Sequence, residues 1–179
     1  MNLYSSSSDV TSADLVDGSG YITYRVTTDS SSCTKSKTTI TRFLPGQLGP
    51  QPVVIVEIAW RNLHDDEITY RGQVYKAKDL INKHGFLTAK RNFTGASGRG
   101  YYWKGRVLYM ANGIEAGRWH NGSCGIFSQA HAAYLQVGNP EFLNDMDDIV
   151  LVMVYHFKKL VEEAGVADAA GSAVGAVAG

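Results

Sequence analysis

One segment near the C-terminus constrains the fold more than any other part of the chain. Residues 149–155 read IVLVMVY, which is apolar on every side of a helix. Their β-branched content also suits a strand, but Asn144 or Asp145 can cap a helix N-terminus. Acids crowd the first turn and Lys158 and Lys159 lie near the end, which complements a helix dipole. Because a helix that is apolar all round has to be enclosed by protein, we predict a buried C-terminal helix.

The rest of the chain reads as many short strands. Segments rich in β-branched and aromatic residues are separated by turn signals such as Asn112-Gly113. Residues 53–60 are nearly continuous in apolar side chains, which predicts a central strand covered on both faces except at Glu57. Residues 78–84 are the one predicted helix before the C-terminal one. The predicted strands are residues 21–28, 38–43, 53–60, 68–71, 74–76, 87–93, 101–104, 107–110, 115–120 and 133–137.

This pattern of about a dozen short strands favours a mainly β (α+β) barrel or sandwich whose strands wrap the buried helix. A length of 179 residues fits a single domain. We assign residues 9–163 to that domain, residues 1–8 to a flexible serine-rich segment and residues 164–179 to an Ala/Gly-rich tail.

Charge and cysteine content restrict the partners and the compartment. Lys+Arg equals Asp+Glu at 17 each, so no overall field attracts the chain to nucleic acid or to an anionic membrane. The N-terminus lacks the basic and apolar stretches of a secretory signal. The longest apolar run is far shorter than the roughly 20 residues that span a bilayer. We therefore expect a cytoplasmic protein with no transmembrane segment, in which Cys33 and Cys124 are free thiols.

Several segments resemble a known family in their order and spacing. These are residues 38–42 (TTITR), 56–61 (VEIAWR), 66–72 (DEITYRG), 90–94 (KRNFT), 102–104 (YWK), 117–120 (GRWH) and the final apolar helix. Over about residues 9–163 the chain is similar to a basidiomycete fungal family classed as a domain of unknown function. That family resembles the tubby C-terminal and LURP-one-like group, whose fold is a twelve-stranded closed antiparallel barrel threaded by a hydrophobic helix. The resemblance implies the same barrel here.

The richest basic patch lies around the predicted hairpins between residues 83 and 106, where aromatic residues are interleaved. Cations bind phosphate while aromatic rings stack, so this rim suits an anionic lipid headgroup or a single-stranded nucleic acid. The resembled group includes phosphoinositide-binding tubby domains and phospholipid scramblases, although no tubby-type phosphoinositide motif maps onto this sequence. We favour a non-enzymatic binding module for phosphorylated or anionic lipid headgroups; the alternative is a solvated, charge-balanced surface. The predicted ligand-binding residues are Lys90, Arg91, Arg99, Tyr102, Trp103, Lys104 and Arg118.

Two other classes of function stay open. A cytoplasmic carbohydrate-binding defence protein could stack Trp60, Trp103 or Trp119 on sugar rings. A hydrolase of the nuclease or phosphodiesterase type could use His64 and His120 as acid and base.

The catalytic candidates are weak, and none is assigned a role. They are His64, Asp66, His120 and Cys124. We favour a solvated turn as the explanation of His64 and Asp66, and surface hydrogen bonding as the explanation of His120. Cys124 sits in a glycine turn, but no protease or transferase signature surrounds it. The histidines and cysteines lack metal-ligand spacing, so we predict neither a metal nor a cofactor.

Overall fold

The computed structural model describes residues 1–29, 36–46, 49–61, 64–84, 90–123 and 131–175, with side chains up to residue 165 in the last range. Within these residues the chain forms one antiparallel sheet and one long C-terminal helix. The predicted mainly β class is therefore confirmed. Cys33 and Cys124 lie outside the described residues, so their state as free thiols stays a prediction.

Thirteen strands make up the sheet in the described residues. They are β1 (Asn2–Ser5), β2 (Ala13–Val16), β3 (Ile22–Asp29), β4 (Lys37–Leu44), β5 (Gln51–Ala59), β6 (Glu67–Tyr70), β7 (Gln73–Lys76), β8 (Asn82–His84), β9 (Lys90–Thr94), β10 (Gly100–Lys104), β11 (Val107–Met110), β12 (Glu115–His120) and β13 (Tyr134–Val137). Their order across the sheet is β7-β6-β5-β4-β3-β2-β1-β13-β12-β11-β10-β9-β8. Consecutive strands are neighbours on each side, and the pair β1 and β13 joins the two halves.

The sheet is open, so the predicted closed barrel of about twelve strands, of the tubby C-terminal type, is wrong. Its ends are β7 and β8, and no ladder between them occurs in the described residues. The connection between these strands contains α1 (Ala77–Leu80), a single helical turn, instead of a hairpin. The N–H of Ala77 donates to the carbonyl of Asp66, and the N–H of Ile81 donates to that of Ala77. The first bond extends the β6–β7 ladder by one residue and the second closes the helical turn, and the three-residue β8 that follows offers little edge for pairing.

The long helix α2 (Met146–Gly175) supplies the centre of the core. A 3-10 helix (Pro140–Asp145) leads into it, and Asn139 caps that turn by accepting from the N–H of Glu141 at 2.9 Å. Residues 149–154 are between 0 and 2% exposed, which agrees with the prediction that this apolar segment is enclosed. In their described parts, α1 and α2 are too short or too polar to cross a membrane.

The N-terminus differs from the prediction of a flexible segment over residues 1–8. β1 lies in the middle of the strand order, paired with β2 on one side and β13 on the other. Leu3 is fully buried, and the Met1 amino group donates to the carbonyl of Val137 at 2.8 Å. A four-residue strand has too few alternations to stand out beside the serine run, which explains why the pattern concealed it.

Three smaller expectations also change. The predicted helix over residues 78–84 is limited to α1, and its second half is β8. The predicted coverage of residues 53–60 on both faces is wrong, because Val53 and Val54 are 42% and 57% exposed. The Ala/Gly-rich segment that follows residue 163 continues α2 as far as Gly175.

Candidate functional site

The outward face of β9 and β10 carries a group of basic and aromatic side chains. Because side chains alternate along a strand, Lys90, Tyr102 and Lys104 face outward while their neighbours are buried. The antiparallel register sets Lys90 directly opposite Lys104. The Nζ atom of Lys90 lies 3.7 Å from the centre of the Tyr102 ring, and that ring stacks on Tyr109 with centroids 5.0 Å apart. Two ammonium groups and an ordered aromatic ring therefore share one patch.

The hairpin turn between β10 and β11 adds a third cation. Residues 105 and 106 form a two-residue turn. Gly105 has a φ of 56°, a left-handed conformation that glycine adopts without strain. Arg106 follows in the turn and is exposed, and its guanidinium donates to the side-chain oxygen of Asn121 at 2.8 and 3.0 Å. The group that we call the basic face consists of Lys90, Tyr102, Lys104 and Arg106.

Ion pairing distinguishes the basic face from the rest of the surface. Of the 17 Lys and Arg residues, only Lys35 lies outside the described residues. Twelve of the others lie within 4.0 Å of a carboxylate. The described cations without such a partner are Lys76, Lys90, Lys104 and Arg106. Three of these four belong to the basic face, so the protein itself leaves this charge uncompensated.

The pairing of Lys90 with Lys104 has an energetic cost. Like charges directly opposite each other on a sheet are destabilising, on the order of 0.2–1 kcal/mol. The contact between Lys90 and the Tyr102 ring offsets part of this by about 0.5–1 kcal/mol. An anion held between the two ammonium groups would remove the remaining repulsion. The geometry thus favours occupation by a negatively charged ligand.

A cleft of about 400 Å³ adjoins the basic face at the β8 end of the sheet. Lys90 and Tyr102 form one wall. Gly100 lines it as well, and a Cβ atom at that position would lie 3.1 Å from the Cβ of Ala111. Its remaining polar lining comes from Asp79, Asn82, Asn92 and Thr94. These carboxylate, amide and hydroxyl groups can hydrogen-bond the neutral part of a ligand whose charge sits on the basic face.

Arg91, a predicted ligand-binding residue, is instead buried in the core at 3% exposure. Its guanidinium lies 3.1 Å from Nδ1 of His156 and donates to Glu163 at 2.7 Å. The Nε2 atom of His156 lies 2.8 Å from the carbonyl of Gly105. Burial lowers the pKa of His156 to about 4, so the ring is neutral near pH 7. Trp103 is fully buried as well, with its ring stacked on His156.

Two further predicted ligand-binding residues are neutralised by neighbouring acids. Arg99 donates to the side chain of Glu141 at 3.2 Å and to its carbonyl at 2.9 Å. Arg118 forms a two-pronged pair with Glu115, at 3.0 and 2.8 Å. Their charges are therefore not free for an external anion in the way that those of the basic face are.

No contact within the described residues joins the weak catalytic candidates Asp66, His64 and His120. Asp66 is buried and accepts from Lys159 at 2.8 Å, from Tyr155 at 3.1 Å and from the N–H of Arg61 at 2.8 Å. His64 is exposed in the segment between β5 and β6. No contact in the described residues joins it to the other imidazole candidate.

The two remaining catalytic candidates are His120 and Cys124. His120 lies 3.0 Å from the Gln136 amide oxygen and stacks on Tyr134 at 4.3 Å. Cys124 lies outside the described residues. Across the part of the chain that the structure describes, no group of three His, Cys, Asp or Glu side chains is placed to hold a metal ion.

One polar cluster that the sequence did not reveal ties the sheet to the start of α2. Asp145 is fully buried and accepts from the N–H and hydroxyl of Ser97, at 2.7 and 2.6 Å, and from the Tyr101 hydroxyl at 2.7 Å. Burial alone would raise the pKa of Asp145, but these hydrogen bonds and the nearby Arg99 outweigh it, and the pKa is lowered. A Cβ on Gly95 would lie 2.6 Å from this carboxyl group, so only glycine permits the approach.

The other two acids at this helix start make matching contacts. Asp148 accepts from the Tyr70 hydroxyl at 2.8 Å and from the N–H of Ala96 at 2.9 Å, and burial raises its pKa. Asp147 accepts from the Tyr24 hydroxyl at 2.8 Å and pairs with Arg42 at 2.9 Å. Strands from both halves of the sheet are thus anchored to α2. Three tyrosines on strands and three acids before an apolar run were the available signal, but only the folded arrangement brings them together.

A family model described as a family of unknown function, DUF6593, matches residues 8–161. The chain belongs to this family. Comparison with curated proteins and with solved structures finds no match. In this DUF6593 chain the matched range contains both the basic face and the acids at the start of α2. Because the family has no assigned function, the geometry of the site has to support any functional proposal.

Proposed function

We propose that this chain is a non-enzymatic binding module that holds a phosphorylated, anionic headgroup on the basic face. One observation supports the proposal above all others: of the four described cations without a carboxylate partner, Lys90 and Lys104 are directly opposed on β9 and β10, and Arg106 lies in the turn that follows β10. In a chain with no net charge, such a concentration of unpaired cations is a local property of one surface.

The chemistry of the face suits phosphate. Directly opposed residues on neighbouring antiparallel strands have Cβ atoms about 4.5–5.5 Å apart, so the ammonium groups of Lys90 and Lys104 can reach one anion. Arg106 adds a guanidinium, which binds phosphate oxygens in a bidentate manner. The adjoining cleft offers hydrogen bonds to the hydroxyl groups of a headgroup. We favour a lipid headgroup over nucleic acid, because the only ring on the face, Tyr102, already has Lys90 over it and stacks on Tyr109.

The proposal keeps two expectations of the sequence as predictions. These are membership of a basidiomycete fungal family that resembles the tubby C-terminal and LURP-one-like group, and a cytoplasmic location. The proposal depends on neither, since it is argued from the charge distribution of this surface.

The rival functions gain no support from the geometry. A carbohydrate-binding surface built on tryptophan lacks its platform, because Trp60, Trp103 and Trp119 are all buried, at 5% exposure or less. For a hydrolase built on His64 and His120, no contact within the described residues joins the two imidazoles.

Liposome co-sedimentation tests the proposal. The wild type is expected to bind vesicles that contain a phosphoinositide at low salt, and to remain in solution with vesicles of phosphatidylcholine alone. Lys90→Gln combined with Lys104→Gln should weaken binding about 30-fold, because each lysine near an anionic surface contributes about 1 kcal/mol. The matched control is Lys37→Gln with Lys78→Gln, which removes the same charge from lysines that are paired with Glu57 and Asp65.

Competition separates the headgroup from the membrane. A soluble inositol phosphate should displace the protein from vesicles if the phosphorylated group itself is recognised. Equal recovery with both kinds of vesicle at low salt, or equal loss of binding in the two double variants, would refute the proposal.

A further inference from the structure

The turn between β10 and β11, which presents Arg106, is held by contacts from outside its own hairpin. The carbonyl of Arg106 accepts from the N–H of Trp119 on β12 at 2.8 Å. The carbonyl of Gly105 accepts from the side chain of His156 on α2, also at 2.8 Å. A buried side chain of the helix therefore reaches the turn that carries one cation of the basic face.

The two partners of His156 fix the position of its ring hydrogen. A carbonyl can only accept, so Nε2 of His156 carries the hydrogen that is donated to Gly105. The other ring nitrogen, Nδ1, lies 3.1 Å from the guanidinium of Arg91, which can only donate. A neutral ring with its hydrogen on Nε2 satisfies both contacts, and the whole side chain is buried. Because Arg91 is held in turn by Glu163, the ring is fixed from the helix side as well as from the sheet.

The direction of the Gly105 carbonyl is coupled to the backbone conformation of Arg106. Gly105 has a φ of 56°, whereas the φ of Arg106 is negative. A two-residue turn with a positive φ only at its first position is type II′. The peptide unit between the two residues carries the Gly105 carbonyl, and rotating that unit by half a turn converts type II′ to type I′ and changes the φ of Arg106. The hydrogen bond from His156 opposes this rotation, because it holds the carbonyl toward the helix.

We propose that His156 is a positioning residue for the basic face: its bond to the Gly105 carbonyl keeps the turn in the conformation in which Arg106 contributes to anion binding. This inference rests on the proposed function. A carbonyl in an exposed turn that loses its buried donor can rotate toward water, and Arg106 moves with it. The His156 ring itself meets no external ligand, since none of its surface is exposed. It acts through Arg106.

Two substitutions of His156 separate its two contacts. The amide of glutamine extends about as far from the backbone as Nε2 and can donate to Gly105, whereas the amide of asparagine extends only as far as Nδ1 and can meet Arg91. His156→Asn should weaken binding of inositol trisphosphate to the full chain about fivefold in titration calorimetry, the loss expected for one cation near an anionic group. His156→Gln should restore most of the affinity. The control His120→Asn makes the same change at a histidine outside these contacts and should bind as the wild type does.

A double-substitution cycle shows whether His156 acts through Arg106. Arg106→Gln alone should also weaken binding about fivefold. In a chain that already carries Arg106→Gln, the change His156→Asn should cause no further loss, because residues that act through one another are not additive. A merely structural role would lower stability in both backgrounds and leave the affinity of the folded protein unchanged. Circular dichroism at the temperature of the titration checks that each variant is folded.

A readout on the wild type does not depend on the folding of any variant. The ¹⁵N signal of His156 Nε2 should shift at saturating inositol trisphosphate, although the ligand cannot reach the ring. The inference is overturned, with the proposed function left in place, by shifts at Lys90 and Lys104 without one at His156, by a His156→Asn variant that binds as tightly as the wild type, or by additive losses in the double variant. A wild type that does not bind inositol trisphosphate refutes the proposed function and the inference together.

Discussion

Tyr101 and Tyr102 are neighbours on β10 that face opposite sides of the sheet. Replacing each in turn with phenylalanine compares the loss of a buried hydroxyl group with the loss of an outward-facing one. The Tyr101 hydroxyl donates to the buried carboxylate of Asp145 at 2.7 Å. Tyr102 faces outward, where its ring lies under Lys90 and its hydroxyl is not needed for that contact. The ring contacts of Tyr101 with Phe93 and Phe142 survive the change to phenylalanine, so only the hydrogen bond is removed.

The magnitude follows from the charge and burial of Asp145. A hydrogen bond to a charged group contributes about 1.5–3 kcal/mol, and a buried carboxylate that loses a donor is not rescued by water. Tyr101→Phe should therefore lower the free energy of unfolding by about 1.5–3 kcal/mol. Tyr102→Phe should change it by less than about 0.5 kcal/mol, as is usual for a surface substitution. In a chain of this size each kcal/mol corresponds to about 2–4 °C in Tm.

Urea denaturation followed by circular dichroism measures both variants. The urea concentration at the midpoint of unfolding should be lower for Tyr101→Phe than for the wild type. The slope of the free energy of unfolding against urea concentration should be unchanged, which indicates a change in stability and not in the compactness of either state. If the two variants lose the same stability, or if Tyr101→Phe stays within about 0.5 kcal/mol of the wild type, then the anchoring role of the acids at the start of α2 is refuted.

Two further predictions concern the core. His156 is neutral in the fold, because burial lowers its pKa to about 4, against about 6.5 in the unfolded chain. Between these two pH values the unfolded state binds a proton that the folded state does not. The free energy of unfolding should therefore fall as the pH is lowered from about 6.5 towards 4. His156→Asn should flatten that part of the stability profile in urea titrations at several pH values; an unchanged slope would contradict the assignment. Gly117→Ala should cost about 1–3 kcal/mol, because its Cβ would lie 2.5 Å from the carbonyl of Gln136, whereas Gly18→Ala meets no atom within 4 Å and should be nearly neutral in thermal denaturation.

The elements that could be predicted are those whose pattern is local. The apolar run at residues 149–155 with acids before it identifies a buried helix without further information. Alternation likewise locates β3, β4 and β10 closely. β1 and β2 have four residues each, which is too short for alternation to be visible. Closure of the barrel depends on whether β7 and β8 pair. Only α1 and Ile81 separate them in sequence, but whether the two strands meet depends on the curvature of the whole sheet, which no local pattern encodes.

The candidate site shows the same division. Lys90, Tyr102 and Lys104 lie on one outward face, as period-two alternation predicts for paired strands. The same alternation places the side chains of Arg91 and Trp103 inside the protein. Applied to each residue of the patch, it would have excluded both from the predicted ligand-binding residues. Neutralisation of Arg99 by Glu141 could not be predicted, because the two residues are 42 positions apart and meet only in the folded chain.

Binding at the basic face is the central claim, and a two-dimensional ¹⁵N–¹H NMR titration with a soluble inositol phosphate tests it most directly. The amide signals of Lys90, Tyr102, Lys104 and Arg106 should shift in a saturable manner, while signals next to the paired Lys37 and Lys78 stay in place. Shifts that are absent, or that are centred on those paired lysines instead, would contradict the claim.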